Sequence, residues 1–62
     1  MDQQYTVKWT WRGERHERTF PTVEKAHWRV KELVAYGAGR ITVNDKTSYY
    51  VPEQGRTYYT DR

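Results

Sequence analysis

The sequence has 62 residues, no cysteine, 16% aromatic residues and a formal net charge of +3. A chain of this length forms one domain with one small core, and the absence of cysteine excludes disulfides and thiolate metal sites. No apolar stretch approaches the roughly 18 residues that span a bilayer, and no signal peptide follows Met1. We expect residues 1–62 to be a complete small protein of one domain, located in the cytoplasm and without membrane contact.

The first predicted element is a β-hairpin. Apolar and polar residues alternate over residues 4–12, which is the period of two of a strand, and a second strand is predicted over residues 15–20. The Gly13-Glu14 pair suits a two-residue type II′ turn that pairs Arg12 with Arg15. One face of this hairpin carries Val7, Trp9, Trp11, His16, Arg18 and Phe20, and the other carries Lys8, Thr10, Arg12, Arg15, Glu17 and Thr19.

A helix is predicted over residues 23–36, directly after Pro21. Thr22 is a suitable N-cap, and Gly37 suits the left-handed conformation that ends a helix. Trp28 lies almost opposite the apolar stripe of this helix. The stripe spans roughly 100° and faces the core with Val23, Ala26, Val30, Leu33 and Val34.

Further strands are predicted after the helix, over residues 40–44 and 47–51, and residues 56–60 form either a fifth strand or a tail. Asn44-Asp45 supplies the residues of a turn. The order ββαββ(β) predicts an α+β fold in which an antiparallel sheet, of strand order 2-1-3-4, packs with one face on the helix. The opposite face of the sheet is rich in threonine, lysine and arginine and is left to solvent or to a partner.

No arrangement of residues typical of an active site is present. Ser48 lies in a strand pattern without a nucleophile-elbow motif, and His16 and His27 lie on different elements without metal-ligand spacing. The two close glycines of YGAGRI follow a helix, which is typical of a C-cap and turn and not of a phosphate loop. We expect a protein that is not an enzyme and has no catalytic residues, metal site or cofactor.

Basic residues at the hairpin tip are candidates for nucleic-acid binding. Lys8, Arg12 and Arg15 share one face of the predicted hairpin, from which they can contact phosphates or base edges. Tyr50 is a candidate for stacking on a base. The alternative interpretation is a solvated β-ribbon, because two glutamates interrupt the positive charge.

Trp28 and the tyrosines Tyr49, Tyr58 and Tyr59 are candidates for protein binding. Trp and Tyr are enriched in binding hot spots, and strand alternation leaves some of these tyrosines outside the core. Two explanations of Trp28 stay open, since the C-terminal tyrosines could fold back over it or it could anchor a partner. That partner could be a cellular protein that this chain inhibits or adapts, or a second copy in a homodimer.

Residues 9–43, WTWRGERHERTFPTVEKAHWRVKELVAYGAGRITV, resemble a layout found in small phage and actinobacterial ββαβ proteins. The shared motif is Thr19-Phe20, Thr22, Glu24 and Ala26, followed by a helix, GA and a strand. In outline the stretch is also similar to the N-terminal arm-binding domain of phage-type tyrosine recombinases, although this chain adds strands after the helix. The resemblance implies a sheet that enters the major groove of DNA and an accessory protein of a phage or mobile element. Nucleic-acid binding is therefore our first hypothesis, and protein binding is the alternative.

Overall fold

The computed structural model describes residues 4–60, so the first three and the last two residues of the expected domain lie outside the described range. The elements are β1 (Tyr5–Trp11), β2 (Glu14–Phe20), α1 (Val23–Tyr36), β3 (Gly39–Val43), β4 (Ser48–Val51) and β5 (Arg56–Tyr59). The predicted α+β class with one helix and antiparallel strands is confirmed. Each boundary lies within one residue of the range expected from the sequence.

Helix α1 begins and ends at residues with the expected capping conformations. Thr22 has an extended backbone, and its hydroxyl accepts a hydrogen bond from an amide of the first helical turn. Gly37 has a φ of 87°, and the amides of Gly37 and Ala38 donate to the carbonyls of Val34 and Leu33. This pair of bonds is a Schellman motif, which requires the left-handed conformation that glycine adopts without strain.

The β1–β2 hairpin has a different turn from the predicted one. Arg12 and Gly13 are its central residues, with φ values of 52° and 79°, and Trp11 pairs with Glu14. Two positive φ values define a type I′ turn, in which glycine suits the second position. The predicted Gly13-Glu14 turn and the Arg12–Arg15 pair are therefore wrong. The observed strand pairing differs from the predicted one by two residues. Because side chains alternate with a period of two, each strand residue stays on its predicted face of the hairpin.

The strands form two sheets and not the predicted single sheet of order 2-1-3-4. One sheet has the antiparallel order β2-β1-β3, and β4 and β5 form a separate antiparallel ribbon. Asn44 and Asp45 have positive φ values and form a tight turn after β3, as their residue types predict. Two backbone hydrogen bonds between Val43 and Lys46 close this turn.

The pairing of β3 with β4 ends at this turn because Thr60 takes the next position. In a continued antiparallel ladder, the carbonyl of Ile41 would accept from the amide of Ser48. Instead it accepts from the hydroxyl of Thr60 at 2.7 Å, and the carbonyl of Thr47 accepts from the amide of Thr60 at 2.7 Å. The predicted pairing of β3 with β4 is thus replaced by contacts from the end of β5.

The core lies between α1, the inner face of the three-stranded sheet and the ribbon. Val34, which was expected in the core stripe of the helix, is 42% exposed, whereas His27 is only 5% exposed. The stripe is rotated towards His27 because β4 packs on that side of α1. The buried apolar residues are Val7, Val23, Ala26, Val30, Leu33, Ala38, Ile41, Val43, Tyr49 and Val51.

Candidate binding surfaces

The outer face of the three-stranded sheet, here called the polar face, carries polar side chains from all three strands. Lys8 and Arg15, two of the predicted nucleic-acid residues, lie together on this face. The alternate side chains of β1, such as Val7, point to the core. The residues of the polar face are exposed or half-buried, and they are Thr6, Lys8, Thr10, Arg15, Glu17, Thr19 and Thr42.

Lys8 is held by an ion pair on the polar face. Its Nζ lies 2.9 Å from Oδ1 of Asp45 in the β3–β4 turn, and Glu17 is its partner on β2. The hydrogen bond and the charge of Asp45 raise the pKa of Lys8 above its usual 10.5, so the ammonium group stays charged at neutral pH. A phosphate that binds Lys8 has to share or displace the Asp45 carboxylate.

Arg15 is oriented by two hydrogen bonds from one nitrogen. Its Nη1 donates to Oγ1 of Thr10 at 3.2 Å and to the carbonyl of Arg40 at 2.8 Å. Arg40 lies at an irregularity of the β1–β3 pairing and has a φ of 50°, a strained conformation that the Arg15 bond helps to hold. A guanidinium group has five N–H donors, so the other N–H groups of Arg15 can donate to a ligand.

Arg12 and Tyr50, the other two predicted nucleic-acid residues, lie beside the polar face. Arg12 is in the hairpin turn, with Cζ 5.4 Å from the ring centroid of Trp11. Tyr50 is exposed on β4 and lines a groove next to the turn that contains Asp45. The structure therefore brings Lys8 and Arg15 together and places Arg12 and Tyr50 at separate edges.

A partly buried polar cluster connects the helix to both strands of the ribbon, and sequence reasoning missed it. His27 Nδ1 lies 2.6 Å from the hydroxyl of Tyr49, and His27 Nε2 lies 3.5 Å from Nε2 of Gln54. The hydroxyl of Tyr58 donates to Oε1 of Gln54, and the rings of Tyr58 and His27 are 4.6 Å apart. We call these four residues the His27 cluster. The sequence signal was the position of His27 at the edge of the apolar stripe.

The two buried titratable members of the His27 cluster, His27 and Tyr49, are uncharged at neutral pH. Burial lowers the pKa of His27, and the nearby Lys31 ammonium lowers it further. Burial raises the pKa of Tyr49 to about 12, and Tyr58 adds to this effect. Because the Gln54 amide donates to Nε2 of the neutral ring, Nδ1 carries the proton and donates to Tyr49. The cluster thus satisfies buried polar groups without burying a charge.

Tyr49 was predicted as a protein-binding residue, but the structure makes it part of the core. Its side chain is 8% exposed and points inward together with Val51, two residues along β4. Tyr50 lies between them and points outward, as strand alternation requires. Tyr49 therefore joins the ribbon to α1 through His27.

Trp28 and Tyr59 are the most exposed of the residues predicted for protein binding. Trp28 is 63% exposed and Tyr59 is 81% exposed, whereas Tyr58 is half-buried in the His27 cluster. Lys31 lies between Trp28 and the groove that Tyr59 lines. Its Nζ is 4.9 Å from the centroid of the Trp28 ring, and Lys31 and Tyr59 both line a groove of about 300 Å³. Within residues 4–60 the C-terminal tyrosines do not cover Trp28.

A second aromatic surface lies between the hairpin and the helix, where the sequence pattern predicted core. Trp9 and Trp11 are on the inner face of β1 as expected, but Trp11 is partly exposed. Strand alternation predicts on which face of the sheet Trp9 and Trp11 lie, but it does not predict how much of that face the helix covers. This groove of about 330 Å³, here called the aromatic groove, is lined by Trp9, Trp11, Arg29, Leu33, Tyr36 and Ala38.

Comparison with known proteins gives no match, since no family model, curated protein or solved structure is significantly similar to this chain. The resemblance to small phage proteins and to the recombinase arm-binding domain stays a prediction. In residues 4–60, no group of three potential metal ligands comes together. In the same range, no helix is long and apolar enough to cross a membrane.

Proposed function

We propose that the protein is a non-enzymatic binding module that contacts nucleic acid through the polar face and the β1–β2 turn. The observation that supports this proposal is a sheet face on which Lys8 and Arg15 are held in place among threonine hydroxyls. A β-ribbon fits the major groove of DNA, and hydroxyl, ammonium and guanidinium groups all donate to phosphate oxygens. Lys8, Arg12 and Arg15 take the phosphates or base edges, and Tyr50 stacks on a base at the edge of the site.

The charges of the polar face favour moderate and salt-dependent affinity. The net charge of +3 attracts a polyanion, but Glu17 and Asp45 both lie next to Lys8. Three phosphate contacts predict a slope of about −2.7 in a plot of log affinity against log salt concentration. A cytoplasmic location and an origin in a phage or mobile element belong to the same proposal, which draws on the resemblance of residues 9–43.

The affinity for a mixed-sequence DNA duplex, measured by fluorescence anisotropy at two salt concentrations, tests this function. We expect the affinity to fall about 40-fold between about 50 mM and about 200 mM salt. Arg15→Gln should weaken binding, whereas the matched control Arg56→Gln, which removes the same charge from β5, should have a smaller effect. Absence of binding at the lower salt concentration would contradict the proposal.

Substitution of Asp45 tests the role of Lys8 directly. Asp45→Asn removes the carboxylate that holds Lys8, and asparagine tolerates the φ of 61° at this turn position. We expect tighter duplex binding and a steeper salt dependence, because Lys8 then meets a phosphate without competition. Affinity that is unchanged or weaker would show that Lys8 does not contact the nucleic acid.

A second candidate function is protein binding through Trp28, Lys31 and Tyr59. The exposure of Trp28 and its connection to Tyr59 through Lys31 favour it. Lys25 and Lys31 lie three residues to either side of Trp28, so a two-fold pairing of two helices about Trp28 would oppose like charges. We therefore propose a different protein as the partner, one with an apolar recess and an acidic rim, which this chain inhibits or adapts.

Comparison of Trp28→Ala with Tyr36→Ala, two substitutions at exposed positions of the helix, distinguishes specific protein binding from non-specific adhesion. A stoichiometric partner should co-purify with the wild type and with Tyr36→Ala and should be lost with Trp28→Ala. Sedimentation should show a monomer over the accessible concentration range. Self-association that disappears in Trp28→Ala would instead identify a homodimer.

A further inference from the structure

The aromatic groove presents the exposed aromatic side chains of Trp11 and Tyr36. Trp9 is stacked on one side by His16, with ring centroids 5.7 Å apart, but Trp11 is partly exposed and Tyr36 is 67% exposed. Leu33 completes the apolar wall between them. Contiguous exposed apolar patches mark interaction sites, whereas apolar residues exposed singly need no explanation.

Two guanidinium groups lie next to the indole rings of this groove. Arg29 Cζ lies 5.8 Å from the ring centroid of Trp9, and Arg12 Cζ lies 5.4 Å from that of Trp11. The carboxylate of Glu32 lies 3.9 Å from Nη1 of Arg29, which is longer than a hydrogen bond. The groove therefore offers flat apolar surfaces next to cationic donors, which complements a ligand that joins planar rings to anionic groups.

We propose that the aromatic groove binds an unpaired base of a single-stranded nucleic acid. The base stacks on Trp11 and Tyr36, and Arg12 and Arg29 contact the flanking phosphates. Within a duplex, both faces of a base are covered by its neighbours, so this site selects unpaired nucleotides. The proposal rests on the proposed function and narrows it to nucleic acid with a single-stranded segment.

The position of Arg12 supports continuity between the two surfaces. Arg12 lies in the turn that joins β1 to β2, where the polar face and the aromatic groove meet. A phosphate backbone that crosses the hairpin tip can reach Arg15 on one side and Trp11 on the other. A peptide ligand has no phosphate backbone that would contact both surfaces, so binding of peptides alone would contradict the proposal.

Binding of oligothymidine of about 12 nucleotides, compared with a duplex of the same length, tests the proposal. We expect the single strand to bind at least about tenfold more tightly. Trp11→Ala and Tyr36→Ala should each weaken binding of the single strand about 5- to 150-fold and change duplex binding less. Trp11→Phe should restore most of the affinity, because a ring face is retained. Because Tyr36 is exposed, we expect Tyr36→Ala to fold like the wild type, so its loss of affinity reports on the site and not on unfolding.

The indole N–H signals in an NMR titration provide a second readout. Oligothymidine should shift the signals of Trp9 and Trp11 more than that of Trp28, which lies on the outer face of α1. Equal affinity for single strand and duplex, with no effect of Trp11→Ala or Tyr36→Ala, overturns this proposal and leaves the proposed function standing. Absence of binding to both nucleic acids overturns both. Shifts of Trp9 and Trp11 with acidic peptides alone identify a protein ligand and also overturn it.

Discussion

The three-stranded sheet and the β4–β5 ribbon contact the same helix, but they are attached to the rest of the molecule in different ways. In the sheet, β1 pairs with β2 over its full length and with β3 on its other edge, so backbone hydrogen bonds extend across all three strands. Within residues 4–60, the backbone pairing between the ribbon and that sheet is confined to the tight turn after β3. Side chains make its other polar attachments, which are those of Thr60 and the His27 cluster.

This difference concentrates the stability of the ribbon in a few groups. In the sheet, a side chain can be truncated while the backbone ladder on both sides of β1 persists. The ribbon has two strands, which alone are marginal in water, and it depends on the burial of Tyr49 and Val51 and on the bonds of His27. We therefore expect substitutions at the ribbon contacts to be more damaging than chemically matched substitutions on the sheet.

His27→Ala should have the largest effect. It removes a buried ring, leaves the Tyr49 hydroxyl without its 2.6 Å partner and opens space beside Tyr58. We expect a loss of about 2–4 kcal/mol in the free energy of unfolding, measured by urea denaturation. The matched control His16→Ala, on the sheet, should cost less than about 1 kcal/mol because that ring is half-exposed. Equal losses for the two variants would contradict the distinction between ribbon and sheet.

Thr60→Val should have the next largest effect. Valine keeps the shape of threonine but removes the hydroxyl that donates to the carbonyl of Ile41 at 2.7 Å. The loss should be about 1–2 kcal/mol, since a buried carbonyl is left unpaired. Hydrogen exchange should show reduced protection in β5 before β1. Thr57→Val, at an exposed position of β5, should change stability by less than about 0.5 kcal/mol.

The free energy of unfolding should fall as the pH is lowered below about 6.5, the usual pKa of histidine. Burial and Lys31 lower the pKa of His27 in the folded protein, so the unfolded chain takes up the proton first. The stabilisation by neutral His27 is therefore complete above the unfolded pKa and decreases as the pH falls towards the folded pKa. The slope should reach at most about 1.4 kcal/mol per pH unit.

Urea denaturation between about pH 7 and about pH 5 measures this slope above the range in which carboxylates take up most of their protons. His27→Gln should remove its contribution, and His16→Gln should leave it in place. The titratable groups that face His27 within residues 4–60 are Lys31, Tyr49 and Tyr58, and burial holds the pKa of Tyr49 at about 12, far above this range. A slope that survives in His27→Gln would assign the pH dependence to another group.

Local signals predicted the helix and the individual strands because those elements depend on neighbouring residues. Thr22 and Gly37 act within one turn of the helix, and the alternation of β1 is visible in seven consecutive residues. The hairpin turn was misplaced because both Gly13-Glu14 and Arg12-Gly13 contain the required glycine. The strand order failed because the position of Thr60 depends on hydrogen bonds to residues 13 and 19 positions earlier in the chain.

The candidate surfaces were predictable only as far as strand and helix periodicity reach. Periodicity placed Lys8 and Arg15 on one face and Trp28 on the outer side of the helix. It could not decide which of two adjacent tyrosines on β4 is buried, because both faces of a ribbon can be aromatic. The Asp45 partner of Lys8 and the aromatic groove depend on distances between elements, which no local pattern contains.

Trp28→Ala should have the smallest effect on stability, and it defines the baseline for the comparison of sheet and ribbon. The indole is 63% exposed, and its contact with Lys31 is a cation–π pair of an exposed site, worth about 0.5–1 kcal/mol at most. The midpoint of thermal unfolding should therefore change little. A loss larger than about 1 kcal/mol would mean that part of the chain packs on this ring. The protein-binding candidate would then lose its anchor, because a ring that the chain itself covers cannot dock a partner.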